Sequence, residues 1–196
     1  MPRGRPRKFD EDTALHGAMM LFWRQGLAAT SLDDLSQAMG MNRPSIYNAF
    51  GNKDEIYRRA LARFCGQLDQ GVEETLEAIP DLRQGLYAFY DRALEVYCGA
   101  DLAMGCLMVC TAPSEAFTHP GVGEDLRALI ERLDARFCQR LKRAKAEKAL
   151  AKDIDVELTA SLLQATLQTI ALRARAGARK KELRLIAKYA VDRLVG

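Results

Sequence analysis

Apolar residues recur every three or four positions along most of the chain, and no stretch alternates with the period of two that a half-buried strand requires. This spacing places the apolar side chains on one face of each successive helix. Glycine, proline and helix-capping residues divide the pattern into about nine segments. We therefore predict an all-α fold of about nine helices.

The clearest helix signals lie in the first third of the chain. Ser31 followed by Asp34 has the spacing of a capping box, which opens a helix, and Gly40 can adopt the left-handed conformation that ends one. Asn42 is a second N-cap candidate, with Pro44 in the turn after it. Two short helices joined by a glycine turn predict a helix-turn-helix unit, whose second helix enters the major groove of DNA.

The second helix of this unit begins with hydrogen-bonding side chains, at the end that meets the base pairs. Arginine can donate two hydrogen bonds to guanine, and asparagine can pair with adenine. Lys53, at the start of the next helix, is placed for phosphate. The alternative is a helical hairpin inside an ordinary all-α enzyme, which would have the same spacing. The polar side chains at the start of the second helix are what favours the DNA-binding interpretation. The residues predicted to reach DNA from this helix are Arg43, Pro44, Ser45, Tyr47 and Asn48.

Residues 10 to 60 resemble the DNA-binding domain of the TetR/AcrR family of bacterial transcriptional regulators. The resemblance rests on the stretches AATSLDDL (28–35), GMNRPSIY (40–47) and FGNKDE (50–55). It implies a three-helix N-terminal domain followed by a larger helical domain for ligand binding and dimerisation. By position it also implies that DNA is contacted by Thr30, Arg43, Ser45, Tyr47, Asn48 and Lys53.

The expected division of the chain is a flexible basic arm (1–9), a helix-turn-helix domain (10–55) and a ligand-binding and dimerisation domain (56–196). The resemblance implies a homodimer whose last two helices pair as a four-helix bundle. Such a dimer would read a palindromic operator with half-sites about 34 Å apart, or a multiple of that. The implied activity is that of a repressor, without a cofactor, that a small hydrophobic effector releases from double-stranded DNA.

The last two predicted helices, which begin near Asp155 and Lys180, are apolar over a broad arc. A helix of this kind must bury more than one face. A subunit interface would bury the second face, and packing of both faces inside one subunit is the alternative. The residues predicted for the interface are Leu158, Leu162, Leu183, Ile186, Tyr189 and Ala190.

Two further helices matter for the switch and lie between these ends of the chain. One long helix begins at Lys53 and runs to about Ala78, and another runs from Leu102 to about Ala116 with a bend at Pro113. The resemblance implies an effector pocket between helices five and eight. Aromatic, methionine and glutamine residues, most of them near the bend, are candidates for it, and ordinary core packing is the alternative. The candidates are Tyr90, Tyr97, Met104, Met108, Phe117, Phe137 and Gln168.

Composition and the absence of known motifs argue against two classes of function, that of a membrane protein and that of an enzyme. The sequence is 48% hydrophobic and 28% charged, which is typical of a soluble globular protein. The N-terminus passes from basic to acidic residues without the apolar run of a signal peptide, and the most apolar stretch, Ala103 to Ala112, is too short to span a bilayer. We therefore expect a cytoplasmic protein that makes no contact with a membrane. No H-E-x-x-H, phosphate loop, G-x-S-x-G or histidine cluster occurs, so the sequence does not predict an enzyme.

The chain has five cysteines and two histidines, with no C-x-x-C, and therefore no sequence signature of a structural metal site. Cys106 and Cys110 lie four residues apart, on one face of a helix. This spacing raises the hypothesis of a pair of redox-sensing or electrophile-sensing thiols. Inert packing of two small apolar side chains is the alternative.

The first nine residues carry four basic side chains and no acidic one, with glycine and proline between them. Arg3-Gly4-Arg5-Pro6 resembles the core of an AT-hook, which lays arginines along the minor groove of A·T-rich DNA. We predict that Arg3 and Arg5 contact DNA, and a tail with incidental charge is the alternative. A protein that bound DNA through this arm alone would be architectural and indifferent to sequence.

Deletion of residues 2–8 tests the arm. We expect weaker DNA binding and a shallower dependence of log affinity on log salt, because each lost phosphate contact removes about 0.9 from that slope. The measurement is fluorescence anisotropy of a labelled duplex across a salt series. Unchanged affinity and slope would show that the arm takes no part in binding.

Overall fold

The computed structural model describes residues 10–99 and 102–196, and within them it contains nine α-helices and no strand. The all-α prediction is thereby confirmed for these ranges. The chain divides into two compact units, one ending at Phe64 and the other running from Cys65 to Gly196. The helices are α1 (Glu11–Gln25), α2 (Leu32–Met39), α3 (Arg43–Phe50), α4 (Lys53–Val72), α5 (Leu82–Cys98), α6 (Leu107–Glu115), α7 (Pro120–Ala146), α8 (Val156–Arg175) and α9 (Lys180–Leu194).

The capping signals read from the sequence are present around α2 and α3. The Asp34 amide donates to Ser31 Oγ at 3.1 Å, and the Ser31 amide donates to the Asp34 carboxylate at 2.9 Å. Gly40 ends α2 with a left-handed φ of 62°. The Ser45 amide then donates to Asn42 Oδ1 at 2.9 Å, which opens α3. The boundaries of both helices are therefore set by neighbouring side chains.

The core of the first unit is built around aromatic side chains of α1 and α4. The Phe22 and Tyr57 rings meet edge to face at a centroid distance of 5.1 Å, and Trp23 meets Phe64 in the same way at 5.0 Å. Edge-to-face pairs of this kind add to the stabilisation from burial. Other large apolar side chains are also buried in this core, among them Met19, Leu27, Leu35, Ile46, Ile56 and Leu61.

In the second unit, α8 packs against α5, α6, α7 and α9. Its buried side is apolar almost throughout, with Leu163, Leu167 and Ile170 among its members. The second unit also buries a charged side chain, Arg140 of α7, whose Nε donates to the Leu76 carbonyl at 3.0 Å. A buried cation needs such acceptors, because an unpaired charge in an apolar interior is strongly unfavourable.

The helix that begins at Lys53 changes its geometry before its predicted end. α4 stops at Val72, and a π-helical segment covers Glu73–Glu77. The Ala78 amide donates to the Glu73 carbonyl at 3.1 Å, which is the spacing of a π-turn. The Thr75 hydroxyl donates back to the Gly71 carbonyl at 2.5 Å, and a hydroxyl bound in this way often bends a helix.

The predicted start of α6 was wrong. The sequence pattern placed it at Leu102, whereas the helix begins at Leu107. Gly105 has a left-handed φ of 67°, and a Cβ at this position would lie 2.4 Å from the Ala171 carbonyl oxygen. Its amide donates to the Tyr97 carbonyl at 3.0 Å. Contacts distant in sequence therefore hold this stretch in a non-helical path that local periodicity did not reveal.

No helix in the two described ranges combines the length and the apolar character that crossing a bilayer requires.

Substitution of Gly17 tests how closely α1 approaches α2. A Cβ at Gly17 would lie 2.1 Å from the Ala38 carbonyl oxygen, so Gly17→Ala must push the two helices apart. We expect the free energy of unfolding to fall by about 1–3 kcal/mol, the usual cost of overpacking. The measurement is urea denaturation followed by circular dichroism.

Gly66→Ala is the matched control, because Gly66 also lies inside a helix but has open space around its Cα. Alanine is favoured over glycine in a helix by about 0.5–1 kcal/mol, so this variant should be slightly stabilised. Equal effects of the two substitutions would contradict the tight α1–α2 contact.

Candidate nucleic-acid interface

The short helix α3 has one buried face and one exposed face. Ile46 and Phe50, four residues apart, are 1% and 3% exposed. On the other face Arg43, Tyr47 and Asn48 are exposed. The division follows from helical periodicity, which places positions four apart on the same side. The predicted DNA-reading residues therefore share one open surface, which also includes the exposed Pro44 and the half-buried Ser45.

The end of α3 is held by Arg59 of α4. The guanidinium lies over the Phe50 ring at 4.5 Å, and Nη1 donates to the Ala49 carbonyl at 3.0 Å. The hydrogen bond satisfies a carbonyl that the helix end leaves without an intrahelical partner. Arg59 thereby ties the end of α3 to α4.

Arg43, the first residue of α3, pairs with an acid of the preceding helix. Its Nε donates to Asp33 Oδ1 at 3.0 Å, and its Nη2 donates to the same oxygen. Both side chains remain exposed, at 53% and 76%. The hydrogen bond to Asp33, together with the attraction between the charges, raises the pKa of Arg43. The arginine is therefore fully charged and already directed by a neighbour.

Lys53 and Thr30 differ from the exposed set because both take part in internal hydrogen bonds. The Lys53 ammonium donates to the Leu27 carbonyl at 3.0 Å and to the Thr30 carbonyl at 3.1 Å. The Thr30 hydroxyl donates to the Gly26 carbonyl at 2.6 Å, and its residue is only 2% exposed. The structure therefore gives the Thr30 side chain a structural position and leaves Lys53 one further donor for a ligand.

A groove of about 540 Å³ lies beside α3, between the first turns of α2 and α4. The first turns of helices present unpaired amides, which favour an anion such as phosphate. The side chains that line the groove are mostly polar, and the Tyr47 side chain forms one wall. Its lining residues are Thr30, Ser31, Leu32, Tyr47, Asn52, Lys53 and Asp54. The predicted DNA contacts Arg3 and Arg5 lie outside the described residues.

The second unit contains a cavity of about 10 Å³, room for about one water molecule. Two of the residues named as pocket candidates, Tyr97 and Gln168, line it, and Cys106 and Gln164 add polar atoms. Its other walls are apolar, contributed by Leu68, Val109, Leu126, Leu129, Ile130, Leu133 and Leu167. Sequence periodicity did not single out these aliphatic residues, because nothing distinguishes them from ordinary core.

The other pocket candidates lie elsewhere. Phe117 is 96% exposed, on the connection between α6 and α7, so its predicted place in an enclosed pocket is wrong. Tyr90 is buried and donates to the Leu163 carbonyl at 2.7 Å, and the buried Phe137 packs edge to face on Phe89 at 5.4 Å. These two belong to the core. Met108 is buried and Met104 half-buried, and neither lines the cavity.

The helices α8 and α9 expose large apolar side chains. Of the predicted interface residues, Leu158, Leu162 and Tyr189 are 59%, 44% and 64% exposed, and Ile186 and Ala190 are half-buried. Leu183 differs from the prediction, because it is completely buried inside its own subunit and has no surface for a partner. Two residues outside the predicted set share this exposure, Leu172 and Leu185.

The cysteines show no sign of activation. Cys106 is buried, and burial raises the pKa of its thiol to about 12. Cys110 is half-buried, burial also raises its pKa, and its Sγ lies 3.9 Å from the Ala171 carbonyl oxygen. A reactive thiol normally has a lowered pKa, so the geometry favours inert packing. Across residues 10–99 and 102–196, no cluster of three or more potential ligands could hold a metal ion.

Both units match known protein families. Residues 14–60 match the family described as bacterial regulatory proteins, tetR family, and residues 83–190 match the tetracyclin repressor-like C-terminal domain. The second match alone covers more than half of the chain. The two matched stretches fall one on each side of the division between the compact units.

Individual proteins resemble the chain over nearly its whole length. The HTH-type transcriptional repressor ComR of Escherichia coli is 32% identical over 190 residues, which cover 94% of this chain and 89% of that protein. The HTH-type transcriptional regulator YezE of Bacillus subtilis is 26% identical over 161 residues, 82% of this chain and 83% of that protein. A cysteine-substituted TetR family transcriptional regulator, CifR, solved with 26-base-pair operator DNA, has a TM-score of 0.89. It is 31% identical and covers 96% of this chain and 98% of its own.

The raised thiol pKa values make a prediction about reactivity. At pH 7.5 fewer than about 1 in 10,000 Cys106 side chains would be thiolate, so a maleimide should leave Cys106 unmodified in the folded protein. Peptide mass spectrometry after timed labelling measures this, and labelling in denaturant is the positive control. Modification of Cys106 within minutes in the folded protein would revive the sensor hypothesis.

Proposed function

Because the chain belongs to the TetR family of bacterial transcriptional regulators, and is a DNA-binding regulator and not an enzyme, we propose that it represses transcription as a homodimer. In this proposal it binds a palindromic operator in the cytoplasm and is released from it by a small hydrophobic effector. The observation that carries the proposal is the open face of α3, which presents Arg43, Tyr47 and Asn48 from a helix capped at both ends.

The exposed side chains of α3 suit the major groove. Arg43 can donate to guanine O6 and N7, and Asn48 can pair with adenine N6 and N7. Pro44 at the first turn and the half-buried Ser45 lie at the same helix end and complete the proposed surface. Ile46 and Phe50 hold this face outward, because both are buried on the opposite side.

Phosphate is the proposed occupant of the groove beside α3. Tyr47 and the first turn of α2, after Ser31, line one part of it, and Lys53 lines another. An amide at a helix start, a phenol and an ammonium are all groups that donate to phosphate oxygens. Because Lys53 already donates to two carbonyls, we propose that it contributes its third N–H and its charge, and that Thr30 acts only by holding the loop.

Two relatives support the proposed repression and the proposed binding to an operator. ComR is named a repressor, and the CifR structure contains operator DNA. Each similarity extends over both units of this chain, including the parts outside the DNA-binding helices. Repression follows most simply if the regulator occupies an operator until an effector removes it.

The homodimer is proposed from the exposed apolar side chains of α8 and α9. These side chains are exposed on two helices that pack against each other, and large apolar residues exposed close together often mark an interaction site. Leu158, Leu162 and Leu172 recur on α8 at helical spacing, and Leu185 and Tyr189 lie four apart on α9. Pairing of the same two helices from each subunit would bury them. A two-fold dimer would then present two α3 helices to a palindromic site.

The effector is proposed to bind at the cavity lined by Tyr97 and Gln168. Its largely aliphatic walls favour an apolar molecule, and the amides of Gln164 and Gln168 provide sites for one or two hydrogen bonds. The cavity holds about one water molecule in this structure, so any larger effector must favour an expanded conformation. A ligand shifts such an equilibrium only by its difference in affinity for the two states.

In vitro selection from random duplex DNA, with purified protein and no effector, tests the proposal. We expect an enriched palindrome whose half-sites are centred one helical turn apart, about 34–36 Å, or a multiple of that. Salt-sensitive binding to all duplexes without enrichment would support an architectural protein instead. Absence of any binding would contradict the proposed interface.

A separate variant tests the proposed dimer, and a matched control is taken through the same selection. Leu162→Glu places a charge in the proposed subunit contact and should yield monomers by sedimentation velocity, with loss of the palindrome. Leu102→Glu alters a comparably exposed leucine outside α8 and α9 and should behave as the wild type. A Leu162→Glu protein that remains dimeric would exclude this surface as the interface.

A further inference from the structure

The first turn of α2 contains two neighbouring acids with different surroundings. Asp34 completes the capping box with Ser31, so its carboxylate is engaged in starting the helix. Asp33 takes no part in that cap, is 76% exposed, and accepts two hydrogen bonds from Arg43 of the next helix. A carboxylate beside a surface proposed to face DNA repels phosphate, so its position calls for a compensating role.

The geometry of the pair leaves part of the arginine available. Asp33 Oδ1 accepts from Nε and from Nη2 of Arg43, which are the donors of one edge of the guanidinium. Nη1 and the second hydrogen of Nη2 form another edge, and a guanidinium edge carries two parallel donors that match guanine O6 and N7. Asp33 therefore constrains the guanidinium plane without blocking the edge that can meet a base.

Orientation of a long side chain before binding affects affinity. A free arginine on a surface occupies many rotamers, and ordering it on DNA has an entropic cost. The bond to Asp33 supplies part of that order in advance. The positive end of the α3 dipole also disfavours a cation at the first helical position, and the Asp33 carboxylate offsets this repulsion.

The same carboxylate acts against binding to arbitrary DNA. Nonspecific binding depends on contacts between basic groups and phosphates. The Asp33 carboxylate offsets the positive charge with which Arg43 would attract a phosphate. It also places a negative charge near the DNA backbone of the proposed complex. A correct base accepts hydrogen bonds from the free edge of Arg43, whereas an incorrect base leaves these donors without partners. An interface discriminates against a wrong partner through such unsatisfied groups.

We propose that Asp33 is a specificity-determining residue that positions Arg43 for one base pair in each half-site. The inference rests on the proposed function, in which Arg43 reads DNA. Asp33 does not contact the base itself and acts through Arg43, so its removal should change sequence preference more than total affinity.

The test is the selection from random duplex DNA, run in parallel with the wild type, Arg43→Ala, Asp33→Asn and the double variant. We expect Arg43→Ala to relax one base pair per half-site, and Asp33→Asn to relax the same base pair. The ratio of affinities for the selected duplex and a scrambled duplex should fall about 3- to 10-fold in Asp33→Asn, the factor expected from ordering one long side chain. In the double variant, Asp33→Asn should add no further loss, because its effect requires Arg43.

Asp12→Asn is the matched control. Asp12 is 77% exposed and pairs with an arginine of the same unit, Arg63, at 2.9 Å, but neither residue belongs to α2 or α3. This variant removes the same charge and the same kind of ion pair, and it should retain the wild-type profile. Asp33→Asn should melt within about 2 °C of the wild type, because both side chains of its ion pair are exposed and such pairs contribute little to stability.

Three outcomes would overturn the proposal for Asp33. The Asp33→Asn profile could equal that of the wild type, or it could relax positions that Arg43→Ala leaves unchanged. Arg43→Ala could also leave the profile intact while the wild type still selects a palindrome, which would overturn the role of Asp33 and leave operator binding standing. If the wild type enriches no sequence, the proposed function itself fails.

Discussion

The structure of the first unit depends on the stabilisation of one very short helix. α3 has eight residues, and an isolated helix of that length is unstable in water because too few hydrogen bonds compensate for its nucleation. Its start is capped by Asn42, its end is held by Arg59, and Ile46 and Phe50 are buried beneath it. These contacts hold α3 from one side only, and they leave the other side open to solvent.

In the proposed function, the open side lets a small domain read DNA without rearranging its core. Most side chains that stabilise the first unit are distinct from those that face outward. Lys53 is an exception, because it donates to two backbone carbonyls and also lines the groove beside α3. Arg43 is exposed yet already directed by Asp33. Recognition in this account therefore relies on groups ordered before DNA arrives, which limits the entropic cost of binding.

Local signals in the sequence predicted most of the fold. The caps at Ser31 and Asn42 and the buried positions of α3 follow from interactions within four residues, and the structure confirms them. Long-range contacts could not be read in this way. Gly105 is held against Ala171, and the hydrogen bonds of Lys53 reach 23 and 26 residues back along the chain. The burial of Leu183 and the exposure of Phe117 also depend on packing between distant helices, which one sequence does not reveal.

Methylation interference on a duplex selected by the wild-type protein tests most directly whether a pair of α3 helices reads the major groove. Guanine N7 lies in the major groove, where α3 is expected to place Arg43. We predict that methylation at guanine N7 blocks binding at two clusters related by the palindrome and centred about 10 base pairs apart, or a multiple of that. Interference confined to adenine N3 in the minor groove, or a single cluster, would contradict major-groove reading by a pair of α3 helices.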